Sequence, residues 1–222
     1  MSTLRIDLHT HTYYSPDALT APTAFIAACR ARGVNCVAVT DHNTVRGALA
    51  LVEACPFKVI VGEEIRTADG EIIGLFLKEQ VPPRLPADQT VKLIKEQGGL
   101  VSIPHPFDRL RRKSLSEKSA LQIADRIDII ETFNARVTFA RDNERARRFA
   151  QDHNLLTAAV TDAHTPGELG SSYVEMPDFD GPDGFLQSLK QAKLVTHTAS
   201  PFVHALSYWA RLRRRGFGWK PV

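Results

Sequence analysis

Near the start of the sequence stands Leu4-Arg5-Ile6-Asp7-Leu8-His9-Thr10-His11, a short strand pattern that runs directly into a His-x-His pair. A polar loop follows as far as Thr20, and Pro22 suits the first turn of a helix that ends near Gly33. The segment therefore predicts a strand, a loop and a helix in succession. This is the unit from which α/β folds with a parallel sheet are built.

The same alternation continues along the chain and predicts an α/β fold. Asn43 is expected to cap the second helix, and Asp69-Gly70 predicts one antiparallel hairpin that interrupts the parallel pattern. Later helices are expected over residues 88–97, 137–153 and 182–192. Buried strands are expected over residues 36–40, 58–61, 100–103, 127–130 and 155–160.

The composition is that of one folded domain. The 222 residues include 43 % hydrophobic and 24 % charged side chains, which is enough for a sizeable core. No stretch approaches the roughly 20 apolar residues of a membrane helix, so we expect no membrane partner. The first residues lack the apolar core of a secretory signal, and three cysteines cannot all pair, which favours a reducing, cytoplasmic location.

The net charge of +3 is unevenly distributed along the chain. We expect a domain over residues 1–200 and a basic C-terminal tail over residues 201–222. Such a tail is typical of a solvated chain end, with contact to nucleic acid or another anionic surface as the alternative. The tail contains no acidic residue and carries Arg211, Arg213, Arg214, Arg215 and Lys220.

Histidines and acidic residues recur where the predicted strands end. The carboxyl ends of parallel strands form one rim of a β/α fold, where the loops of an active site converge. The histidines in this position are His9, His11, His42, His105 and His164. The acidic residues that share it are Asp17, Asp41, Glu63, Glu64, Glu131 and Asp162.

The mixture of imidazole and carboxylate groups predicts a metal centre at this rim. These donors suit zinc, manganese or iron, whereas a calcium site would use oxygen ligands alone. The set exceeds the four to six donors that one such ion accepts, so we expect more than one divalent ion. Glu63 and Glu64 point to opposite sides of an extended segment, and the sequence leaves open which of them faces the site.

Five short motifs resemble those of the PHP (polymerase and histidinol phosphatase) superfamily of metal-dependent phosphoesterases. They are Asp7-Leu8-His9-Thr10-His11, Thr40-Asp41-His42-Asn43-Thr44, Gly62-Glu63-Glu64, Pro104-His105-Pro106 and Asp162-Ala163-His164. The resemblance extends from residue 7 to about residue 170. It implies a distorted (β/α)7-type barrel with two or three divalent ions, manganese, zinc or iron, at the C-terminal rim of the strands.

The resemblance also implies which residues hold each ion. The first ion is expected to bind His9, His11, Glu64 and Asp162, with Glu64 bridging to a neighbouring ion. The second is expected to bind Asp17, His42 and His164, and the third His105 and Glu71. Asp17 and Glu71 stand where relatives can carry histidine. Asp41 and Glu131 are expected to support the ligands from behind.

A metal cluster of this kind supplies hydroxide for ester hydrolysis, so no side chain is expected to act as the nucleophile. Arg109 follows His105 by four residues and is expected to hold a second phosphate of the substrate. Asn134 and Arg136 are expected to make further substrate contacts. The basic run after Arg109 continues with Arg111, Arg112 and Lys113.

The expected function is that of a metal-dependent phosphoesterase acting on a small phosphate ester. A nucleotide, a nucleoside bisphosphate or a short oligonucleotide end is the favoured substrate. Two alternatives remain at this point, a histidinol-phosphate phosphatase and a non-catalytic metal-binding module. The residues do not indicate the native metal or the oligomeric state.

Overall fold

The computed structural model describes residues 3–111 and 113–217, with the backbone alone for residues 214–217. The strands are β1 (Thr3–Thr10), β2 (Cys36–Val39), β3 (Lys58–Arg66), β4 (Glu71–Leu75), β5 (Leu100–Ile103), β6 (Ile129–Asn134), β7 (Leu156–Val160), β8 (Tyr173–Pro177) and β9 (Lys193–Val195). The α-helices are α1 (Pro22–Ala31), α2 (Arg46–Ala54), α3 (Ala87–Glu96), α4 (Glu117–Leu121), α5 (Ala140–Asp152), α6 (Gly181–Leu189) and α7 (Phe202–Phe217). A 3-10 turn at Ala124–Arg126 lies between α4 and β6.

The strands form one sheet in the order β7-β6-β5-β4-β3-β2-β1-β8-β9, and its barrel shape is nearly closed. Four neighbouring pairs, β1–β2, β2–β3, β5–β6 and β6–β7, are parallel. Closure joins β7 to β1: Thr10 bridges to Ala163, and the Asp7 carboxylate accepts a hydrogen bond from the Thr161 N–H at 3.1 Å. The expected α/β barrel is therefore confirmed.

β4 runs antiparallel to both of its neighbours, whereas the sequence predicted a single antiparallel pairing. Because of this reversal, the first residue of β4, Glu71, lies near the end where β3 finishes. The turn between the two strands is centred one residue earlier than expected. Thr67 N–H donates to the Gly70 carbonyl at 2.9 Å, and the Thr67 hydroxyl accepts from the N–H groups of Asp69 and Gly70.

Both faces of the parallel strands are buried, which explains why they are continuous apolar runs. In β2, Val37 and Val39 pack with Phe25 of α1 and Leu51 of α2. The alternate residues of β2 belong to a second cluster, which α6 completes with Phe185. The rim thus stands on a strand framework that is fixed from both sides.

Two local expectations near the rim were wrong. Asn43 does not cap α2, which begins at Arg46; it adopts a left-handed conformation with φ 54°, and its side-chain oxygen accepts from the Arg66 N–H at 2.8 Å. β6 begins at Ile129, two residues later than predicted, and it extends through Asn134. Glu131 and Asn134 therefore lie inside the strand rather than after it.

Several elements were not predicted. β8 lies in a segment expected to be a loop, although Val174 and Met176 are buried in an alternating pattern that is typical of a strand. β9 has three residues, too few for a periodic signal. α4 also lies in a stretch for which no element was expected.

Residues 202–217 form the helix α7, which packs on the barrel, where the sequence predicted a solvated tail. Val203, Ser207 and Ala210 of α7 are buried. Two residues of the predicted basic segments, Arg112 and Lys220, lie outside the described residues. The side chains of Arg214 and Arg215 also lie outside them. Within residues 3–111 and 113–217, no helix combines the length and apolar character needed to cross a bilayer.

Candidate metal centre

The four side chains expected to hold the first ion meet at one point on the barrel rim. His9 Nε2 lies 3.0 Å from His11 Nε2 and 3.5 Å from both Glu64 Oε2 and Asp162 Oδ1. His11 Nε2 lies 3.4 Å from Glu64 Oε2 and 3.3 Å from Asp162 Oδ1. A tetrahedral zinc ion with bonds of about 2.0–2.1 Å separates its ligands by roughly 3.3–3.4 Å. The four atoms are thus spaced as the ligands of one small divalent ion.

The strand framework explains why these groups converge. His9 lies in β1, and residues two apart on a strand share a face, so His11 just beyond the strand points the same way. The His11 N–H donates to the Ala163 carbonyl at 2.9 Å and ties this segment to the end of β7. There Asp162 has φ 56°, a left-handed conformation that turns the chain just past the strand.

The second expected group lies beside the first. His42 Nε2 is 3.3 Å from Asp17 Oδ2, and His164 Nε2 is 3.5 Å from Asp17 Oδ1. His42 Nδ1 lies 2.8 Å from Glu64 Oε2, the oxygen that also faces His9 and His11. Glu64 Oε2 is therefore common to the first and second groups, and its bridging role stays a prediction.

The third expected group is the loosest. His105 Nε2 lies 3.0 Å from Glu64 Oε1 and 3.8 Å from Glu71 Oε2. The other oxygen of Glu71 is 3.3 Å from the ammonium group of Lys113. Glu71 is therefore shared between the ligand group and a cation.

Unpartnered buried oxygens give a direct test of whether these residues fit metal ions. Among the described residues, Asp17 Oδ1, Glu64 Oε2 and Asp162 Oδ1 are buried, accept no hydrogen bond and face the first two groups, whereas Glu71 Oε1, which also accepts none, faces the Lys113 ammonium. Each such atom costs about 1–3 kcal/mol if it stays unsatisfied. Divalent cations at the first two groups would satisfy the oxygens of Asp17, Glu64 and Asp162, and imidazole with carboxylate suits manganese, zinc or iron. The residues fit the expected ions.

The structure resolves the choice between Glu63 and Glu64. Glu64 faces the ligand groups, while Glu63 lies on the other side of β3, where its Oε2 accepts from the Val81 N–H at 2.8 Å. Burial raises the pKa of Glu63 to about 7. Burial also acts on Glu64, but the nearby His42 and His9 hold its pKa well below the usual range. Glu64 is thus kept ionised.

The other carboxylate ligands are also held in the charged form. Burial opposes ionisation of Asp162, but Arg111 and His9 keep its pKa well below the usual range. His42 and His164 do the same for Asp17 against the effect of burial. Both acids can therefore bind a cation without first losing a proton at neutral pH.

Glu131 lies behind the first and third groups and contacts a member of each. Its Oε1 lies 2.7 Å from His9 Nδ1, and its Oε2 accepts from the His105 N–H at 2.7 Å. The Asn134 amide donates to Glu131 at 2.8 Å and to Asp162 Oδ2 at 3.4 Å. Asn134 was expected to touch substrate, but the structure places it beneath the ligands.

Asp41 fastens the loop that follows β1. Its carboxylate accepts from the Thr12 N–H at 2.7 Å, the Thr12 hydroxyl at 2.6 Å and the Ser15 hydroxyl at 2.6 Å. Ser15 in turn lies 3.1 Å from His11 Nδ1 and accepts from the His42 N–H at 3.0 Å. A Cβ on Gly47 would lie 1.9 Å from the Asp41 carboxylate, so α2 can approach this close only through glycine.

The structure does not bring Arg109 to the site. Its guanidinium donates to buried Asp142 at 3.0 and 2.9 Å, on the outer side where α5 begins. The neighbouring Arg111 reaches the ligands instead, with Nη2 2.5 Å from Asp162 Oδ2. The role expected for Arg109 is corrected accordingly, because α5 offers a carboxylate that the sequence did not place beside it.

Arg136 is buried and connects three segments. One guanidinium nitrogen donates to the Asp162 carbonyl at 3.3 Å, and another donates to the Val203 carbonyl at 3.0 Å and the Ser207 hydroxyl at 2.8 Å. Its donors are thus used to hold α7 against the loop after β7. Arg136 lines the cleft, but mainly as a structural link.

A cleft of about 410 Å³ opens above the ligands. One side is formed by the rim and the other by the loop after β5 and by α7. Its lining consists of Asp17, His42, Glu71, Leu110, Arg111, Lys113, Arg136, His164, His204, Ser207, Tyr208 and Arg211. The contribution of α7 was missed, although His204, Ser207, Tyr208 and Arg211 have the spacing of one helix face.

Comparison with known families agrees with the geometry. The family model for the PHP domain matches residues 7–145, which is more than half of the chain, and one for a PHP-associated segment matches residues 140–194. The chain belongs to the PHP domain family. An uncharacterised protein of Methanocaldococcus jannaschii is 33 % identical to this PHP protein over 197 residues, covering 84 % of this chain and 79 % of that one.

Solved structures share the PHP fold. A two-domain protein of Bacteroides vulgatus with a predicted PHP-like metal-dependent phosphoesterase superposes with a TM-score of 0.72 at 17 % identity, covering 94 % of this chain and 70 % of that one. PsfC from Pseudomonas syringae superposes with a TM-score of 0.69 at 16 % identity, covering 96 % of this chain and 99 % of that one. At these identities the likeness shows the barrel alone.

Proposed function

We propose that this PHP protein hydrolyses a small phosphate ester with the aid of two or three divalent ions. The observation that carries the proposal is the set of buried, unpartnered carboxylate oxygens within reach of five imidazoles beneath an open cleft. Bound divalent ions would lower the pKa of water and offset charge on the phosphoryl oxygens. The cleft adds fixed cations to this environment.

The chain's own residues would orient and balance the reacting groups. Glu131 holds His9 and the backbone of His105 in place, and the Asp162 carbonyl lies 2.8 Å from His164 Nδ1. That carbonyl can accept only an N–H, so it favours the tautomer that leaves His164 Nε2 free to bind a cation. Ligands held in this way need little rearrangement to bind a cation.

Neither Ser15 nor the buried cysteines Cys29 and Cys36 are suited to act as a covalent nucleophile. Ser15 is fully buried, and its hydroxyl is committed to Asp41. Cys29 and Cys36 are buried in the core, and burial raises the pKa of each thiol to about 12. Water is therefore the proposed nucleophile.

The proposed substrate is a nucleotide, a nucleoside bisphosphate or a short oligonucleotide end. Arg111 and Lys113 supply positive charge for phosphate, and the exposed side chains of Leu110 and Tyr208 line the same cleft. A flat ring could rest against Tyr208 while the phosphate faces the rim. A long polymer would need a more extended basic surface than these residues provide.

A substrate panel tests the proposal. The protein would be purified without chelator, its metals quantified, and hydrolysis measured with Mn²⁺, Zn²⁺ and Fe²⁺. The panel holds p-nitrophenyl phosphate, mononucleotides, nucleoside bisphosphates, 5′-phosphorylated oligonucleotides and histidinol phosphate. We expect at least two ions per chain and turnover that is lost in Asp162→Asn. A protein that binds the ions and cleaves nothing would be a non-catalytic module, and preference for histidinol phosphate would support the other alternative.

A further inference from the structure

α7 forms a wall of the cleft that the PHP family match does not include. The helix covers Phe202–Phe217, beyond the regions matched at residues 7–145 and 140–194. Arg136 holds it in place through the Val203 carbonyl and the Ser207 hydroxyl. The face of α7 that lines the cleft is thus fixed relative to the rim.

Arg211 extends from this wall to the second ligand group. Its Nε donates to Asp17 Oδ2 at 3.2 Å, and its Nη2 donates to the same oxygen. A guanidinium has five N–H donors, and a single carboxylate oxygen engages only one edge of it. The Arg211 side chain remains 48 % exposed and lines the cleft. An anion in the cleft can therefore approach the guanidinium without displacing the helix.

Asp17 and an anion in the cleft would compete for the Arg211 guanidinium, and the outcome depends on the charge of Asp17. Asp17 also faces His42 at 3.3 Å and His164 at 3.5 Å, as the third member of a ligand group. A carboxylate that is shared with a divalent cation attracts a guanidinium less strongly. Two oxygens of a phosphate can accept from one edge of the planar guanidinium, and arginine prefers this bidentate contact to a single-point one.

We propose that Arg211 binds the scissile phosphate of the substrate, so that α7 is part of the substrate-binding site. This rests on the proposed function, because a phosphate ester is taken as the substrate. Arg213 lies on the same helix, and its guanidinium is 5.0 Å from the centre of the Trp209 ring. It does not line the cleft and is a control of matched charge.

The test compares Arg211→Ala, Arg211→Lys and Arg213→Ala in the full chain loaded with Mn²⁺. We expect Arg211→Ala to raise KM for p-nitrophenyl phosphate and Ki for inorganic phosphate by about 10- to 100-fold, the value of a lost charge-assisted contact. Arg211→Lys should give an intermediate loss, because it keeps the charge and lacks the planar fork. Arg213→Ala should change both constants by less than about twofold.

Two outcomes would overturn the inference. One is an equal KM and Ki in Arg211→Ala and Arg213→Ala. The other is a change in bound manganese per chain with no change in Ki, which would limit Arg211 to a contact with Asp17. If Arg211→Ala does not unfold cooperatively, Arg211→Lys decides, and an unchanged Ki then overturns the inference.

Failure of the proposed function would be seen separately. If the wild-type protein cleaves no phosphate ester, titration calorimetry with inorganic phosphate still measures the contact in the Mn²⁺-loaded protein. Weaker binding by Arg211→Ala than by the wild type would support the contact. Equal binding, or no binding by the wild type, would overturn it.

Discussion

The strand ends that carry the proposed metal ligands form one side of the cleft, and the loop after β5 and α7 form the other. The side chains of the two sides are positioned in different ways. Ligands such as His9, Glu64 and His105 lie in a strand or within two residues of its end. The cations Arg111 and Arg211 come from a loop and a helix, and each ends on a carboxylate of the rim. A strand end determines the direction of a short side chain, whereas a long side chain on a loop is directed by the partner it finds.

The strongest test of this difference is the bridging carboxylate. We expect Glu64→Gln to lower kcat/KM by about a thousandfold or more. The neutral amide lacks the negative charge of the carboxylate, which would contribute several kcal/mol to metal binding. Bound metal per chain, measured by elemental analysis, should fall with it. The adjacent Glu63→Gln is the matched control and should keep its turnover. A Glu64→Gln rate within tenfold of the wild type would show that the rim is less important than its geometry suggests.

Support behind the rim should matter less than the rim itself. Glu131→Gln keeps the shape of the side chain but weakens its hold on His9 and His105. We expect a loss of about 10- to 100-fold in manganese affinity or in rate. Titration with Mn²⁺ under steady-state turnover separates the two effects. Wild-type affinity and rate in this variant would mean that the strands alone orient the imidazoles.

Glu63, one residue from the rim ligand Glu64, should affect stability instead of catalysis. Its pKa is raised by burial from 4.5 to about 7, so between these values only the folded chain keeps the proton. The free energy of unfolding therefore falls as the pH rises through this window, by about 3 kcal/mol, and levels off above it. Glu63→Gln should remove this loss and so be more stable than the wild type at pH 8 but not at pH 4.5.

Urea unfolding at the two pH values measures this effect. Glu53→Gln, a change at an exposed glutamate of α2, serves as the control and should follow the wild type. If the difference in free energy of unfolding between the wild type and Glu63→Gln is the same at both pH values, the assignment of Glu63 to the buried outer side of β3 is contradicted.

The smallest effect is expected at Arg109, which lies on the outer side of the loop after β5. Arg109→Ala leaves the buried Asp142 carboxylate without its guanidinium, which should cost about 1–2 kcal/mol in the free energy of unfolding. The kcat/KM for any substrate should stay within about twofold of the wild type. Kinetic loss without a change in stability would restore the substrate role that the sequence predicted for Arg109.

Most of the rim could be predicted because its signal is positional. Histidines and acidic residues that follow buried apolar runs are enough to indicate it. The turn that reverses the chain before β4 was visible in Asp69-Gly70. The choice between Arg109 and Arg111 could not be predicted, since it depends on Asp142 lying beside Arg109 in the fold. The same holds for Asn134, which was expected after β6 and lies within it. α7 was missed because its buried residues, Val203, Ser207 and Ala210, are small and one of them is polar.

The junction between β1 and β7 has a consequence for the order of folding. Asp7 and Thr161, which close the barrel, are separated by 154 positions in the chain, and Asp162 is almost as far in sequence from His9 and His11, its neighbours in the first group. A contact of such long range forms late, because the entropy of the intervening chain must be lost first. Chains released before β7 is made therefore lack Asp162, one of the four members of that group. Tight metal uptake would follow completion of the barrel, and mass action would then favour the closed form over its open precursors.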